Sequence, residues 1–313
     1  MSAPRYLSAN EVRAALPMPR AIDAMREAFA ALASGRAVLP VRTAVPANGG
    51  ATMLVMPAKT ENPAAIGAKL VTVFPANAGT KTPVVQAIVV LIDPNTGTPA
   101  AILDGTSLTA IRTGAASGLA TELLARRDAT RVALLGAGVQ ARTQLEAVAC
   151  VRAVKSVAVW SRTRARAELL AKEVGNGSFD VRVADSPNDA ARDAEIICCA
   201  TPATEPLLGA SDIAAGTHIN AIGSFTPAMR EIDPELLGCA RVVVDQREAA
   251  LEESGELIDA IALKLVRRET LIELGSIVTG ASAGRRSPDE ITVFKSVGLA
   301  VQDVVAGSWA LRR

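Results

Sequence analysis

The sequence has 313 residues, a length that fits two domains of ordinary size. Half of the residues are hydrophobic and 21% are charged, a balance that is typical of packed globular proteins and excludes extended disorder. The formal net charge of +1 provides no overall field that would attract nucleic acid or an acidic membrane surface. No basic start precedes an apolar run, and no apolar stretch reaches about 18 residues, so we expect a cytoplasmic protein without a secretory signal or membrane span.

Cysteine and histidine usage argues against metal sites and disulfides. The four cysteines are Cys150, Cys198, Cys199 and Cys239. Their spacing fits neither a zinc site nor a disulfide framework, so we expect reduced, packed thiols. His218 is the single histidine, which excludes a histidine pair, and its apolar surroundings in 217–223 favour a packed core imidazole. No metal site is predicted.

The first third of the chain predicts a helix followed by a sheet. Apolar residues at helical spacing predict a helix over 18–34, and Gly35 ends it. Strand-like runs joined by turns then predict an antiparallel or mixed sheet. These runs cover 41–45, 51–58, 65–74, 84–93 and 99–105.

The pattern changes at about residue 107. Residues 107–125 predict a long helix rich in small residues, with Ser107 and Thr109 as capping candidates. Strands and helices then alternate as far as about residue 246, which indicates βαβ units and a parallel sheet. The tail, 291–313, predicts an amphipathic helix that folds back on the first domain.

A glycine-rich turn after the first strand of the alternating region predicts a dinucleotide site. Gly136 allows the tight turn, Gly138 lets the backbone approach a pyrophosphate, and the small Ala141 lets the helix pack on the strand. Val139 and Gln140 open that helix, whose free N–H groups face the phosphates. The strand–turn–helix context favours cofactor binding over a structural turn.

The next strand, 156–160, ends without the acid that usually bonds the ribose 2′-hydroxyl of NAD. Ser161, Arg162 and Thr163 stand there instead and match a 2′-phosphate, which arginine holds well. NADP(H) is therefore favoured, with NAD(H) as the alternative. Arg164 and Arg166 have the alternative interpretation of a solvated first helical turn.

Nine segments in order, spread over about 40–310, resemble the successive blocks of the ornithine cyclodeaminase/μ-crystallin family. They are KLVTVFPAN, VLIDPNTGTPAAILDG, LTAIRTGAASGLAT, LLGAGVQARTQ, VAVWSRT, INAIGS, REID, ESGELIDAI and VFKSVGLAVQD. The resemblance implies an α/β protein in which a Rossmann-type parallel-sheet domain, 116–296, is inserted into an α+β domain. That second domain, 1–115 plus 297–313, would bind substrate and form homodimers through its sheet.

The resemblance also implies roles for particular residues. Arg42, Lys69 and Arg112 match the family's substrate-binding basic residues, and such groups suit a substrate that carries a carboxylate beside an imine. Gln140, Thr201, Ile222 and Ser296 fall in blocks that contact the cofactor. As alternatives, Thr201 only begins a turn and Ser296 only caps the last helix.

One departure from the family pattern bears on the reaction. The cyclodeaminases carry an aspartate where this sequence has Ser224-Phe225, and Thr52 stands where a glutamate is expected. Glu231 and Asp104 are the carboxylates that could take the aspartate's place.

These residues predict a reductase or dehydrogenase of small carboxylated imines or amino acids, with Δ1-pyrroline-2-carboxylate as the leading substrate. Arg112 and Arg42 would anchor the carboxylate, and Lys69 would move the proton, through Ser224 or a water. The alternatives are ornithine cyclodeaminase and a non-catalytic binding protein of the μ-crystallin type.

Overall fold

The computed structural model describes residues 3–175, 177 and 179–312. The chain divides into two compact units, one formed by Met1–Arg112 with Leu299–Arg313 and the other by Thr113–Gly298. The boundaries expected from the sequence, 115 and 297, lie a few residues from these.

The first unit contains one sheet and the helices that cover it. Its elements up to the boundary are β1 (Arg5–Leu7), α1 (Ala9–Ala15), α2 (Met18–Ala33), β2 (Ala37–Val38), β3 (Thr43–Pro46), β4 (Thr52–Glu61), β5 (Ala64–Val73), β6 (Val85–Ile92), β7 (Pro99–Asp104) and the start of α3 (Gly105–Leu124). The strands lie in the order β1-β7-β6-β5-β4-β2, and β3 also pairs with β4. All pairs are antiparallel except β1 with β7, which confirms the predicted mixed sheet.

The second unit is an eight-stranded parallel sheet with helices between its strands. Its elements after α3 are β8 (Arg131–Leu135), α4 (Val139–Val151), β9 (Ser156–Trp160), α5 (Arg164–Val174), β10 (Asp180–Val183), α6 (Pro187–Ala191), β11 (Ile196–Cys199), β12 (His218–Ala221), α7 (Pro234–Cys239), β13 (Arg241–Val244), α8 (Arg247–Glu253), α9 (Gly255–Ala262), β14 (Ile272–Glu273), α10 (Leu274–Val278) and β15 (Thr292–Lys295). The last helix, α11 (Ala300–Leu311), belongs to the first unit.

The parallel sheet has the order β10-β9-β8-β11-β12-β15-β13-β14. From β8 the chain first builds outward through β9 and β10, and it then returns to the other side of β8 with β11 and β12. The order therefore reverses between β8 and β11, and open α/β sheets bind ligands at the carboxyl edge beside such a reversal. The predicted Rossmann-type sheet is confirmed.

The predicted start of α3 is wrong. The helix begins at Gly105, and the Asp104 carboxylate accepts a hydrogen bond from the Ser107 N–H at 2.7 Å, so Asp104 takes the capping role assigned to Ser107 and Thr109. A side chain at Gly105 would come within 2.7 Å of the Ala87 backbone. Strand β7 thus turns directly into the helix at a point that only glycine fits.

The tail is not one amphipathic helix. Residues 292–295 form β15, which is buried on both sides between β12 and β13, because the β-branched and aromatic run TVFK suits a central strand. Only α11 is helical, and it is buried almost all round from Ala300 to Gly307 rather than along one face. It packs on α2, β4 and β5, as expected of a segment that returns to the first unit.

The histidine and cysteine predictions hold in part. His218 is fully buried, with Nδ1 2.9 Å from the Thr292 hydroxyl, and burial lowers its pKa to about 3. Cys198 and Cys199 are packed in β11, but Cys150 and Cys239 are exposed, and all four are free thiols. Among the described residues no helix is long and apolar enough to span a bilayer, and no cluster of three potential metal ligands occurs.

Candidate functional site

Two of the predicted substrate-binding residues meet around a buried carboxylate of the first unit. Lys69 projects from β5 on the face that α11 covers, and its Nζ lies 2.6 Å from Oδ2 of Asp303. Arg112 of α3 donates from Nε to the other oxygen of Asp303 at 3.0 Å and from Nη1 to Oε1 of Gln302 at 2.8 Å. The exposed fractions of Lys69, Arg112 and Asp303 are 3%, 5% and 0%. A carboxylate thus holds two cations in a nearly dry environment.

The charges of this cluster tune one another. Burial lowers the pKa of Lys69, the Asp303 charge raises it, and the charges of Arg112 and Arg42 lower it further, to about 8. Burial alone would raise the pKa of Asp303, but Arg112 and Lys69 bring it below its ordinary value. The cations outnumber the carboxylate, so the site has positive charge left for a substrate carboxylate.

Arg42 lies at the edge of this cluster, half-buried in the segment before β3, and its charge lowers the pKa of Lys69. Thr52, which occupies the position expected for a glutamate, donates its hydroxyl to the Val45 carbonyl at 3.2 Å. It therefore supplies no acid to the site.

Sequence reasoning missed Asp303 and Gln302. Both are fully buried in α11, within the tail that was predicted to be an amphipathic helix. The available signal was a charged residue inside the apolar run 297–307, because a buried carboxylate requires a partner.

The glycine-rich turn of the second unit has the geometry that a pyrophosphate needs. Gly136 has φ +113°, and a Cβ there would lie 2.5 Å from the Ala200 carbonyl oxygen. Gly138 is the N-cap residue of α4, and a Cβ there would meet no atom within 4 Å. Val139 and Gln140 form the first turn of α4, which carries no acidic side chain. An anion can therefore approach the free backbone N–H groups of this helix start.

The three residues at the end of β9 lie at the same edge of the sheet. Arg162 and Thr163 are exposed and Ser161 is half-buried, and Arg162 has no ion-pair partner in the described part of the chain. Arg164 is engaged, at 3.1 Å from Glu168 and 2.5 Å from Asp185. Arg162 is thus the guanidinium available to a phosphate here.

The remaining predicted residues follow the carboxyl ends of neighbouring strands. The two that carry hydroxyls, Thr201 and Ser296, already use them in hydrogen bonds. Thr201 and Ile222 follow β11 and β12, and Ser296 follows β15. The Thr201 hydroxyl donates to Glu231 at 2.7 Å, and the Ser296 hydroxyl donates to Asp245 at 3.0 Å. Ser296 does not cap α11, whose N-cap residue is Leu299.

Ser224 is fully buried, and its hydroxyl lies 2.6 Å from a carboxylate oxygen of Glu256 and in contact with Nζ of Lys295. These contacts give it a structural partner in the second unit, so the predicted proton relay through Ser224 lacks a free hydroxyl. Glu231 and Asp104 are also engaged, Glu231 by three hydrogen bonds and Asp104 as the cap of α3. Neither stands in for the missing aspartate as a free base.

Comparison with known proteins identifies the family of the whole chain. A model of the ornithine cyclodeaminase/mu-crystallin family matches residues 3–310. Delta(1)-pyrroline-2-carboxylate reductase of Bacillus cereus is 38% identical over 98% of this chain and 95% of its own length. Ketimine reductase mu-crystallin of Mus musculus is 39% identical over 97% and 95%. The solved structure of Thermococcus litoralis Delta(1)-pyrroline-2-carboxylate reductase with NADH and L-proline is 36% identical, with a TM-score of 0.94 over 98% of this chain and 96% of that one.

The buried carboxylate predicts a stability effect. Asp303→Asn leaves two buried cations without a counter-charge, so we expect a loss of about 3–5 kcal/mol in the free energy of unfolding. Denaturant titration at pH 7 measures it. Glu61→Gln is the control, because the Glu61 carboxylate pairs with Lys59 at 3.9 Å on the exposed surface and such pairs contribute at most about 1 kcal/mol. Equal losses in the two variants would contradict the stabilising role of Asp303.

Proposed function

The chain belongs to the ornithine cyclodeaminase/mu-crystallin family, and on that premise we propose that it reduces small carboxylated imines, with Δ1-pyrroline-2-carboxylate as the leading substrate. The observation that carries the proposal is the buried cluster of Lys69, Asp303 and Arg112. It combines an anchor for a carboxylate with a lysine whose pKa is lowered to about 8, which are the two groups that this reduction needs.

Arg112 binds the substrate carboxylate in this proposal. Asp303 and Gln302 engage Nε and Nη1 and fix the plane of the guanidinium, which leaves Nη2 for a ligand. Arg42 adds a second cation at the edge of the site. A carboxylate held this way brings the neighbouring imine carbon and nitrogen to a set position.

Lys69 supplies the proton. Its pKa of about 8 keeps it mostly protonated at pH 7, and Asp303 stabilises that charged form while burial opposes it. The ammonium can therefore donate to the substrate nitrogen more readily than an ordinary lysine. The nicotinamide cofactor supplies the hydride when bound, and the turn at Gly136 and Gly138 would hold its pyrophosphate.

The alternative functions have less support. Cyclodeamination needs a base for the substrate amine, and Phe225 and Thr52 stand where the family pattern has carboxylates. A protein that only binds a ligand has no need of a buried lysine whose pKa is lowered beside Arg112.

The reaction type is tested directly. With NADPH or NADH, purified protein should consume reduced cofactor when Δ1-pyrroline-2-carboxylate is added, and it should release no ammonia from ornithine. Absorbance of the reduced cofactor and an ammonia assay measure the two results. Conversion of ornithine to proline without net cofactor consumption would refute the proposal. Phe225→Asp is the converse test, since restored ammonia release would support the assignment of that position.

The role of Lys69 predicts a pH profile. Lysine is protonated below its pKa, so kcat/KM for imine reduction should be retained below about pH 8 and fall as the pH rises through that value. Lys69→Ala should lose most turnover while still binding cofactor, as measured by cofactor fluorescence. Lys59→Ala, at an exposed lysine of β4, is the matched control and should keep the wild-type profile. Near-normal turnover of Lys69→Ala would make Lys69 a structural residue.

Cofactor choice gives a further prediction. We propose a preference for NADPH, because Arg162 is exposed, lacks an ion-pair partner in the described residues and follows β9 where a ribose-binding acid usually stands. Arg162→Ala should weaken NADPH binding about tenfold or more, the loss of one charge-assisted contact, and leave NADH binding unchanged. Arg166→Ala, at an exposed arginine of the following helix α5, should change neither. Equal affinity of the wild-type protein for both cofactors would refute the preference.

A homodimer formed through the sheet of the first unit completes the proposal. Val55, Leu70 and Ile88 lie opposite one another on β4, β5 and β6, on the face away from α11. Ile88 is 41% exposed, and Val55 and Leu70 are only half-buried. An apolar row on an open sheet face is typical of a subunit interface. A cytoplasmic location stays a prediction.

A further inference from the structure

A buried carboxylate that the proposed chemistry does not use joins two loops of the second unit. Glu231 is fully buried, and its Oε1 accepts hydrogen bonds from the Thr201 N–H at 2.6 Å and the Thr201 hydroxyl at 2.7 Å. Its Oε2 accepts one from the Gly223 N–H at 2.7 Å. Each carboxylate oxygen is thus hydrogen-bonded to one loop, Oε1 to the loop at Thr201 and Oε2 to the loop at Gly223.

These loops leave adjacent strands at the same edge. Cys199 at the end of β11 pairs in register with Ala221 at the end of β12, and Thr201 and Gly223 follow two residues later. A Cβ at Gly223 would lie 2.3 Å from the Thr201 nitrogen and 2.5 Å from Oε1 of Glu231. The two loops therefore lie so close together that only glycine fits at position 223.

A second buried carboxylate holds the next residue of the same loop. Ser224 is bonded to Glu256, which forms an ion pair with Lys295 at 3.0 Å. Burial raises the pKa of Glu231, and the Lys295 charge opposes that effect. Burying these charges costs free energy, and the strands are already held together by their own hydrogen bonds. The buried carboxylates therefore indicate that the positions of the loops matter for function as well as for folding.

The position of the two loops indicates what they serve. The Ala200 carbonyl lies against Gly136, so the loop after β11 touches the dinucleotide turn. A dinucleotide crosses the sheet at the reversal between β8 and β11, with its adenosine ribose over the end of the second strand, here β9. We therefore expect its other half, the nicotinamide, to lie over the carboxyl ends of β11 and β12.

We propose that Glu231 is a positioning residue that sets the loops after β11 and β12 for the nicotinamide half of the cofactor without touching the cofactor itself. This inference rests on the proposed function, since it requires a nicotinamide dinucleotide. It predicts a selective defect. Loss of the carboxylate should weaken contacts to the nicotinamide half and leave those to the adenosine half intact.

The test compares the full cofactor with a fragment. Calorimetry measures binding of the reduced cofactor that the wild-type protein prefers and of the matching ADP-ribose or 2′-phospho-ADP-ribose, which lack the nicotinamide. Glu231→Gln should bind the cofactor about tenfold more weakly and the fragment within about twofold of the wild-type affinity. Glu195→Gln is the matched control and should change neither. Glu195 also joins two strand ends, accepting from the Thr130 and Arg131 N–H groups at 2.9 and 3.1 Å, but at the amino edge of the sheet.

Each outcome decides the inference. Unchanged cofactor binding by Glu231→Gln, or an equal loss for cofactor and fragment, would overturn it. If Glu231→Gln does not fold, Glu231→Asp, which keeps the charge but is one methylene shorter, should show the same selective loss. Failure of both variants to fold would also overturn it, because Glu231 would then hold the unit together rather than the site. A wild-type protein that binds neither ligand would refute the proposed function instead.

Discussion

The chemistry proposed for this protein depends on the carboxylate of Asp303. Without it, Lys69 and Arg112 would be two like charges repelling each other in a dry site, and nothing would oppose the lowering of the Lys69 pKa by the Arg112 charge. With it, Arg112 has a fixed plane for binding a carboxylate, and the pKa of Lys69 is held at about 8 against the further lowering that burial favours. One side chain therefore sets both the binding and the proton transfer.

The second unit uses the same physical device at a different place. Glu231, Glu256 and Asp245 are fully buried carboxylates, and each is bonded to the loop that follows a strand of the parallel sheet. The backbone hydrogen bonds between strands stop where the strands end. The loops that follow therefore need other hydrogen-bond partners if they are to be rigid. Buried carboxylates supply these partners, because charge-assisted hydrogen bonds that they accept from N–H and O–H groups of the loops are short and directional.

Local patterns predicted the features that depend on neighbouring residues. The turn at Gly136 and Gly138, the alternation of strands and helices and the helix over 18–34 follow from short-range rules, and the structure has all three. Asp303 was not predictable in this way, because its partners Lys69 and Arg112 precede it by more than 190 residues. The occupied hydroxyl of Ser224 was missed for the same reason, since Glu256 lies on a separate helix.

The separation of 191 residues between Arg112 and Asp303 also has a consequence for biosynthesis. At ribosomal rates of about 5–20 residues per second, the segment that carries Arg112 emerges about ten to forty seconds before the helix that neutralises it. All of Thr113–Gly298 is made in that interval, so the nucleotide-binding unit can fold while the other sheet still lacks α11. During this time the face of β4 and β5 that α11 covers is exposed, so we expect the nascent chain to be most prone to aggregation before α11 is made.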